Sequence, residues 1–226
     1  MRKALAAVSL LFLAARLFAD PVSLVEAPAL KEYPVLTEAR LELLRQYAEM
    51  HFGSPSIDLP EPLMIVVHYT AISGLDATLA TFALERLPAG RTDIAGHGDV
   101  NVGIHYVIAK DGAVYRLQPE NVMGRHIIGF NWCSIGIEMV ARNAAELTAA
   151  QLTSCARLSA WIASRHPSLQ YLIGHHEYMR KDLPHFALFR EKDPAYTPTV
   201  KVDPGDAFMK RLRETLLSRY SLTLKD

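Results

Sequence analysis

The chain carries no net charge: Lys plus Arg number 24 and Asp plus Glu number 24. A balanced chain has no global electrostatic reason to seek nucleic acid or an anionic membrane surface, so neither is expected as a partner. No apolar stretch reaches the roughly 20 residues that a bilayer-spanning helix needs, so no transmembrane domain is expected. Internal repeats and low-complexity tracts are missing. So are HExxH and GxSxG, which removes the zincin helix and the serine-hydrolase elbow. Cysteine is scarce. Cys133 and Cys155 do not form a CxxC pair, which argues against a redox motif, and neither has the setting of a nucleophile. They read as buried free thiols, although an exported chain could bridge them.

What is there begins with apolar content. Half of the residues are apolar, enough for a core, and 226 residues suit one compact domain with short extensions. Arg2 and Lys3 precede an apolar run from Ala4 to Ala15 broken by Ser9. That pattern reads as a signal peptide over residues 1–19, cleaved after Ala19, and no cysteine follows it to take a lipid anchor. The expectation is a periplasmic or secreted protein. Residues 20–60 read as an N-terminal arm and helix, and residues 61–226 as the main domain.

Pro21 to Pro34 reads as an extended arm. Thr37 is placed to cap a helix reaching Met50, with Leu41, Leu44 and Tyr47 on one stripe. Phe52 to Pro62 reads as a linker. Met64 to Val67 is a short continuous apolar run, as expected of a strand buried on both faces. Leu75 to Leu87 has helical spacing and Pro88 is its expected stop. Ile104 to Ile108 and Ala113 to Leu117 flank Asp111-Gly112, a hairpin signal. Ser134 to Val140 reads as a strand, Thr148 with Gln151 as a capping box opening a helix that Pro167 ends, and Tyr171 to His175 as another strand. Asp206 is the expected cap of a last helix bearing Phe208, Leu212 and Leu216. Alternating strands and helices with one hairpin predict an α/β fold, a central mixed sheet flanked by helices.

Three places join an element's end to a metal-capable side chain. His68 ends Ile65-Val66-Val67-His68, His175 ends Leu172-Ile173-Gly174-His175, and Asp203 sits in Lys201-Val202-Asp203-Pro204-Gly205. Two imidazoles and one carboxylate make the donor set of a catalytic zinc site that keeps a position for water. Singly, each residue has an ordinary explanation: a histidine hydrogen-bonded at a strand end, or an aspartate at a helix entry.

The ordered set His68-Tyr69-Thr70, Ile108 to Gly112, Ser134-Ile135-Gly136-Ile137-Glu138, Gly174-His175 and Lys201-Val202-Asp203-Pro204-Gly205 resembles the type 2 N-acetylmuramoyl-L-alanine amidase family. The resemblance runs roughly from Pro62 to Leu217. It implies a zinc-dependent amidase cutting peptidoglycan or muropeptides between N-acetylmuramic acid and L-alanine. It implies Zn2+ on His68, His175 and Asp203, Glu138 as general base, and Lys201 as stabiliser of the developing oxyanion. Backbone geometry agrees in two respects, the first being that Lys201 and Asp203 are two apart, so an extended segment aims both at the same place. Gly136 and Glu138 are two apart and share a face, so the glycine leaves room on the carboxylate's side. His126 matches a position where relatives place a site-facing histidine, which makes it a candidate substrate contact.

Some relatives are non-catalytic peptidoglycan-binding modules that have lost a zinc ligand, and the presence of all three here favours an enzyme. There are two departures. Phage-type relatives carry a tyrosine where this chain has Ile104, so no tyrosine role transfers. His175 and Asp203 are also 28 positions apart, farther than in many relatives. The extra segment, residues 178–199, is read by default as a solvated surface loop, with a lid or substrate wall as the alternative. His176, expected to face opposite to His175 on a strand, is the rival ligand, while His97 and His105 read as structural. The sequence sets no oligomeric state.

Overall fold

The computed structural model describes residues 25–226, so the expected signal peptide lies outside the described residues. Six strands form one mixed sheet in the order β1-β4-β3-β5-β2-β6. These are β1 (Leu30–Glu32), β2 (Met64–Tyr69), β3 (Tyr106–Ile108), β4 (Val114–Arg116), β5 (Ser134–Met139) and β6 (Tyr171–Gly174). The hairpin partners β3 and β4 are antiparallel, and every other neighbouring pair is parallel. Four α-helices complete the domain: α1 (Glu38–Phe52), α2 (Leu75–Ala83), α3 (Ala149–Arg165) and α4 (Asp206–Tyr220).

The period of two along the central strands decides which helix each residue meets. Ile65, Val67, Ile135, Ile137 and Met139 point to one face. There they pack with Leu152, Cys155, Leu158 and Ile162 of α3 and with Phe208, Met209, Leu212 and Leu216 of α4. Met64 and Val66 point the other way, against Leu43, Leu44, Tyr47 and Ala48 of α1. His68 follows Val66 by two, and Glu138 follows Ser134 and Gly136, so both functional candidates belong to the α1 side. Cys133 and Cys155 are free and buried on opposite faces.

The helix starts follow capping chemistry. The Thr37 side chain accepts from the Arg40 N–H, and Thr148 with Gln151 makes the full capping box of α3. The last helix differs: Gly205 holds the cap position without a side-chain bond, and Asp206 is the first helical residue. Three other expectations change. The N-terminal arm becomes a strand, its Leu30 paired with Val114. Helix α2 stops at Ala83, well before Pro88. The buried Arg40 guanidinium takes the carbonyls of Phe82, Leu84 and Val102 at 2.5, 2.8 and 2.7 Å, and the chain beyond the helix turns extended to bridge Val100. Finally, β6 ends at Gly174, and His175 to Glu177 form a 3-10 turn, which re-aims both histidines.

Candidate active site

Parallel strands place their C-terminal ends on one sheet edge, the usual position of a site in such folds. Here His68 near the end of β2 stands in register with Glu138 near the end of β5, and β6 delivers His175 just past its own end. Asp203 arrives from the loop before α4. The His68 and His175 Nδ1 atoms are 2.9 Å apart, and both face Asp203 Oδ2, at 3.4 and 3.2 Å. One donor atom from each of the three lies within 4.8 Å of the others. Among the described residues no other group of three His, Cys, Asp or Glu side chains converges in this way. Two nitrogens and one oxygen, inward-facing and nearly buried, fit a zinc ion with a remaining open position.

The electrostatics suit that role. Burial, with His68 alongside, lowers His175 to about 4 and keeps it neutral. Burial acts to raise the Asp203 carboxyl, but in the metal-free arrangement, with the histidines donating from Nδ1, hydrogen bonds from His175 and His68 prevail and hold it well below the usual carboxylate range. Neutral imidazole and ionised carboxylate are the ligand forms. Glu138 behaves in the opposite way. Burial and then the Asp203 charge push its carboxyl well above the ordinary value, raising its affinity for a proton.

A cavity of about 550 Å³ opens over this cluster, lined by His68, His175, Asp203, Glu138, Lys201 and His126 together with rim residues. All six sequence candidates therefore meet at one cavity. Both ring nitrogens of His126 are engaged, Nδ1 at 3.2 Å from His68 Nε2 and Nε2 at 3.3 Å from Ser134 Oγ. The space left by Gly136 is filled by Ile104 and the His126 ring, not by the carboxylate. Ile104 is fully buried and offers no proton to the site. His176 turns away from the ligand cluster, its ring against the Asp203 carbonyl and the Asp206 carboxylate. His105 is satisfied on both sides, donating to the Val122 carbonyl and accepting from the Gly136 N–H.

Sequence reasoning missed the other wall. Arg91, Val102 and Arg142 line the cavity, and nothing in their local pattern marks them. The loop carrying Arg91 is held by Arg125, which is buried and donates to the carbonyls of Gly98, Val100, His97 and Ile94. Residues 178–199 are also not a solvated loop. Tyr178, His185 and Tyr196 are buried, and Phe186 stacks on Phe189 at 5.3 Å. His51 on α1 pairs with Glu191, and His97 with Asp193, both at 2.7 Å.

Comparison with known proteins agrees with this geometry. The N-acetylmuramoyl-L-alanine amidase family model matches residues 58–206, and the chain belongs to that family. Human N-acetylmuramoyl-L-alanine amidase is 30% identical over 210 residues, covering 86% of this chain and 35% of that protein. Human peptidoglycan recognition protein 3 is 27% identical over 142 residues, covering 60% of this chain and 40% of its own length. The chain thus spans well under half the length of these two relatives. Among solved structures, a selenomethionine AmpD derivative superposes with a TM-score of 0.52 at 19% identity, covering 85% of this chain and 97% of that one. That likeness concerns the fold.

Proposed function

We propose that this protein is a zinc-dependent amidase acting outside the cytoplasm on peptidoglycan or muropeptides, hydrolysing the amide between N-acetylmuramic acid and L-alanine. The observation that carries the reading is the meeting of His68, His175, Asp203, Glu138 and Lys201 at one cavity in a chain of this family. His68, His175 and Asp203 would hold the zinc. Bound there, the ion supplies Lewis acidity that polarises a carbonyl and acidifies water.

The chain's own groups do the rest. Glu138, its proton affinity raised by burial, accepts the proton of the attacking water and returns it to the departing amine. Lys201, two residues from Asp203 and on the cavity wall, sets its ammonium near the oxyanion that develops on the carbonyl.

Three measurements on Glu138→Ala test the reading: metal content, muropeptide binding, and mass-spectrometric release of free peptide from muramic acid. Turnover should fall about 10²–10⁴-fold with zinc and binding retained. Near-normal turnover would remove Glu138 as the base. A zinc-loaded wild type that binds muropeptides and releases no peptide would favour the binding-module reading. Elemental analysis should find one zinc per chain, lost in His68→Ala.

A further inference from the structure

We infer that His126 and His176, neither a ligand, form an outer shell that orients two of the three proposed metal ligands, His126 acting on His68 and His176 on Asp203. The inference rests on the metal-site reading above and adds positioning residues to it.

The His126 side follows from proton placement. His68 turns Nδ1 toward His175 and Asp203, so as a ligand it carries its ring proton on Nε2. That nitrogen is 3.2 Å from His126 Nδ1, which must then accept. The His126 proton is thereby placed on Nε2, 3.3 Å from Ser134 Oγ, which accepts in turn. Each step forces the next, and the chain holds the His68 ring in one tautomer and one orientation.

His126 is itself held. Asn131 Oδ1 accepts from the N–H groups of His126 and Ile127, both at 2.9 Å, and the Asn131 amide donates to the Tyr47 hydroxyl at 3.0 Å. The ring lies over Gly136, where an added Cβ would come within 2.9 Å of it.

The His176 side lies in the 3-10 turn just past β6, and there both ring nitrogens face acceptors. Asp203 stands on a loop without regular structure, so something other than a strand must aim it. His176 donates to the Asp203 carbonyl from its backbone N–H at 2.8 Å, and its ring Nδ1 is 3.1 Å from the same oxygen. Ring Nε2 lies 2.9 Å from Asp206 Oδ1 at the start of α4. Again a glycine makes the space: a Cβ on Gly174 would meet the His176 ring at 2.6 Å. Through its ring and backbone, His176, the residue next to His175, grips the backbone of a ligand 27 positions away. Partners of this kind fix ligand geometry, and losing one typically costs about 10–100-fold in metal affinity.

The test is zinc affinity by chelator competition on the full chain, for wild type and for His126→Ala, His126→Asn, His176→Ala and His176→Asn. Each alanine variant should bind zinc about 10–100-fold more weakly. Asparagine, whose amide can set an oxygen or nitrogen near the lost Nδ1, should recover most of the loss. Ser134→Ala should weaken zinc less than His126→Ala. Thermal unfolding of the zinc-free proteins, which should stay near wild type for the two asparagine variants, and KM at saturating zinc complete the set.

Unchanged zinc affinity in the alanine variants overturns the inference, and a raised KM with unchanged affinity makes His126 a substrate contact instead. A loss that asparagine does not rescue, accompanied by lower zinc-free stability, also overturns it in favour of packing alone. A wild type that binds no zinc overturns the metal reading itself, a result separate from any of these.

Discussion

The two walls of the cavity are built by different physics. The strand wall, which carries His68 and Glu138, rests on side chains buried between the sheet and its helices, with Val66, Val67, Ile135 and Ile137 all fully covered. The loop wall, which carries Arg91 and leads to Lys201 and Asp203, holds little regular structure. Its shape depends on polar anchors donated from elsewhere: Arg40 to three carbonyls, Arg125 to four, His51 to Glu191 and His97 to Asp193. Apolar packing is spread over many contacts, so no single methyl decides it. A buried guanidinium that satisfies several carbonyls is a single point of failure, because each orphaned group must be left without water.

The contrast can be broken in the loop wall first. Arg125→Met roughly keeps volume and removes the guanidinium's four donations to the carbonyls of Ile94, His97, Gly98 and Val100. Hydrogen bonds from a charged group contribute about 1.5–3 kcal/mol each, so a loss of at least about 3 kcal/mol is expected. Urea unfolding measures it, and limited proteolysis should find new cleavage between residues 88 and 101. Stability within about 0.5 kcal/mol of wild type would mean that the loop holds itself and that the contrast is wrong.

The second prediction concerns a polar group inside the strand wall. His105 is neutral because burial lowers it to about 4, and both ring nitrogens are already used. The unfolded chain takes up this proton near pH 6.5, so folding loses stability as pH falls from there toward about 4, then levels off. The contribution, full above pH 6.5, is on the order of 3 kcal/mol. His105→Gln should be less stable at pH 7 yet show a flatter decline between pH 6.5 and 4. An unchanged slope would assign the acid sensitivity to other groups.

The smallest effect should come from the strand wall's core. Ile137→Val removes one methylene from a fully buried position facing α3. A loss of about 1 kcal/mol is expected, with zinc content and turnover unchanged. Thermal unfolding and peptide release check both. A loss as large as that of Arg125→Met would erase the distinction between the walls.

Legibility follows the same division. The strands β2, β5 and β6 are apolar runs with candidate site residues at or just past their ends, and a period of two is a local property, so His68 and Glu138 could be assigned faces from neighbours alone. The thiols of Cys133 and Cys155 were readable as buried for a similar reason. Arg91 was not, because its place in the cavity depends on Arg125, more than thirty positions along the chain. The loop of residues 178–199 misled because a run of charges and aromatics looks solvated until Phe130, α1 and the 94–100 loop are brought against it.

By itself the sequence determined most of the elements, their order, the sheet's mixed character and the donor set His68, His175 and Asp203, since each depends on local spacing, capping and residue type, while Glu138, Lys201 and His126 were named by the family resemblance. The tertiary structure decided what no spacing encodes. It ended β6 at Gly174 and so turned His176 onto the Asp203 backbone, filled the gap at Gly136 with Ile104 and His126, and set His126 between His68 and Ser134. These are contacts between residues far apart in the chain, where close packing and the need to satisfy buried polar groups leave one arrangement.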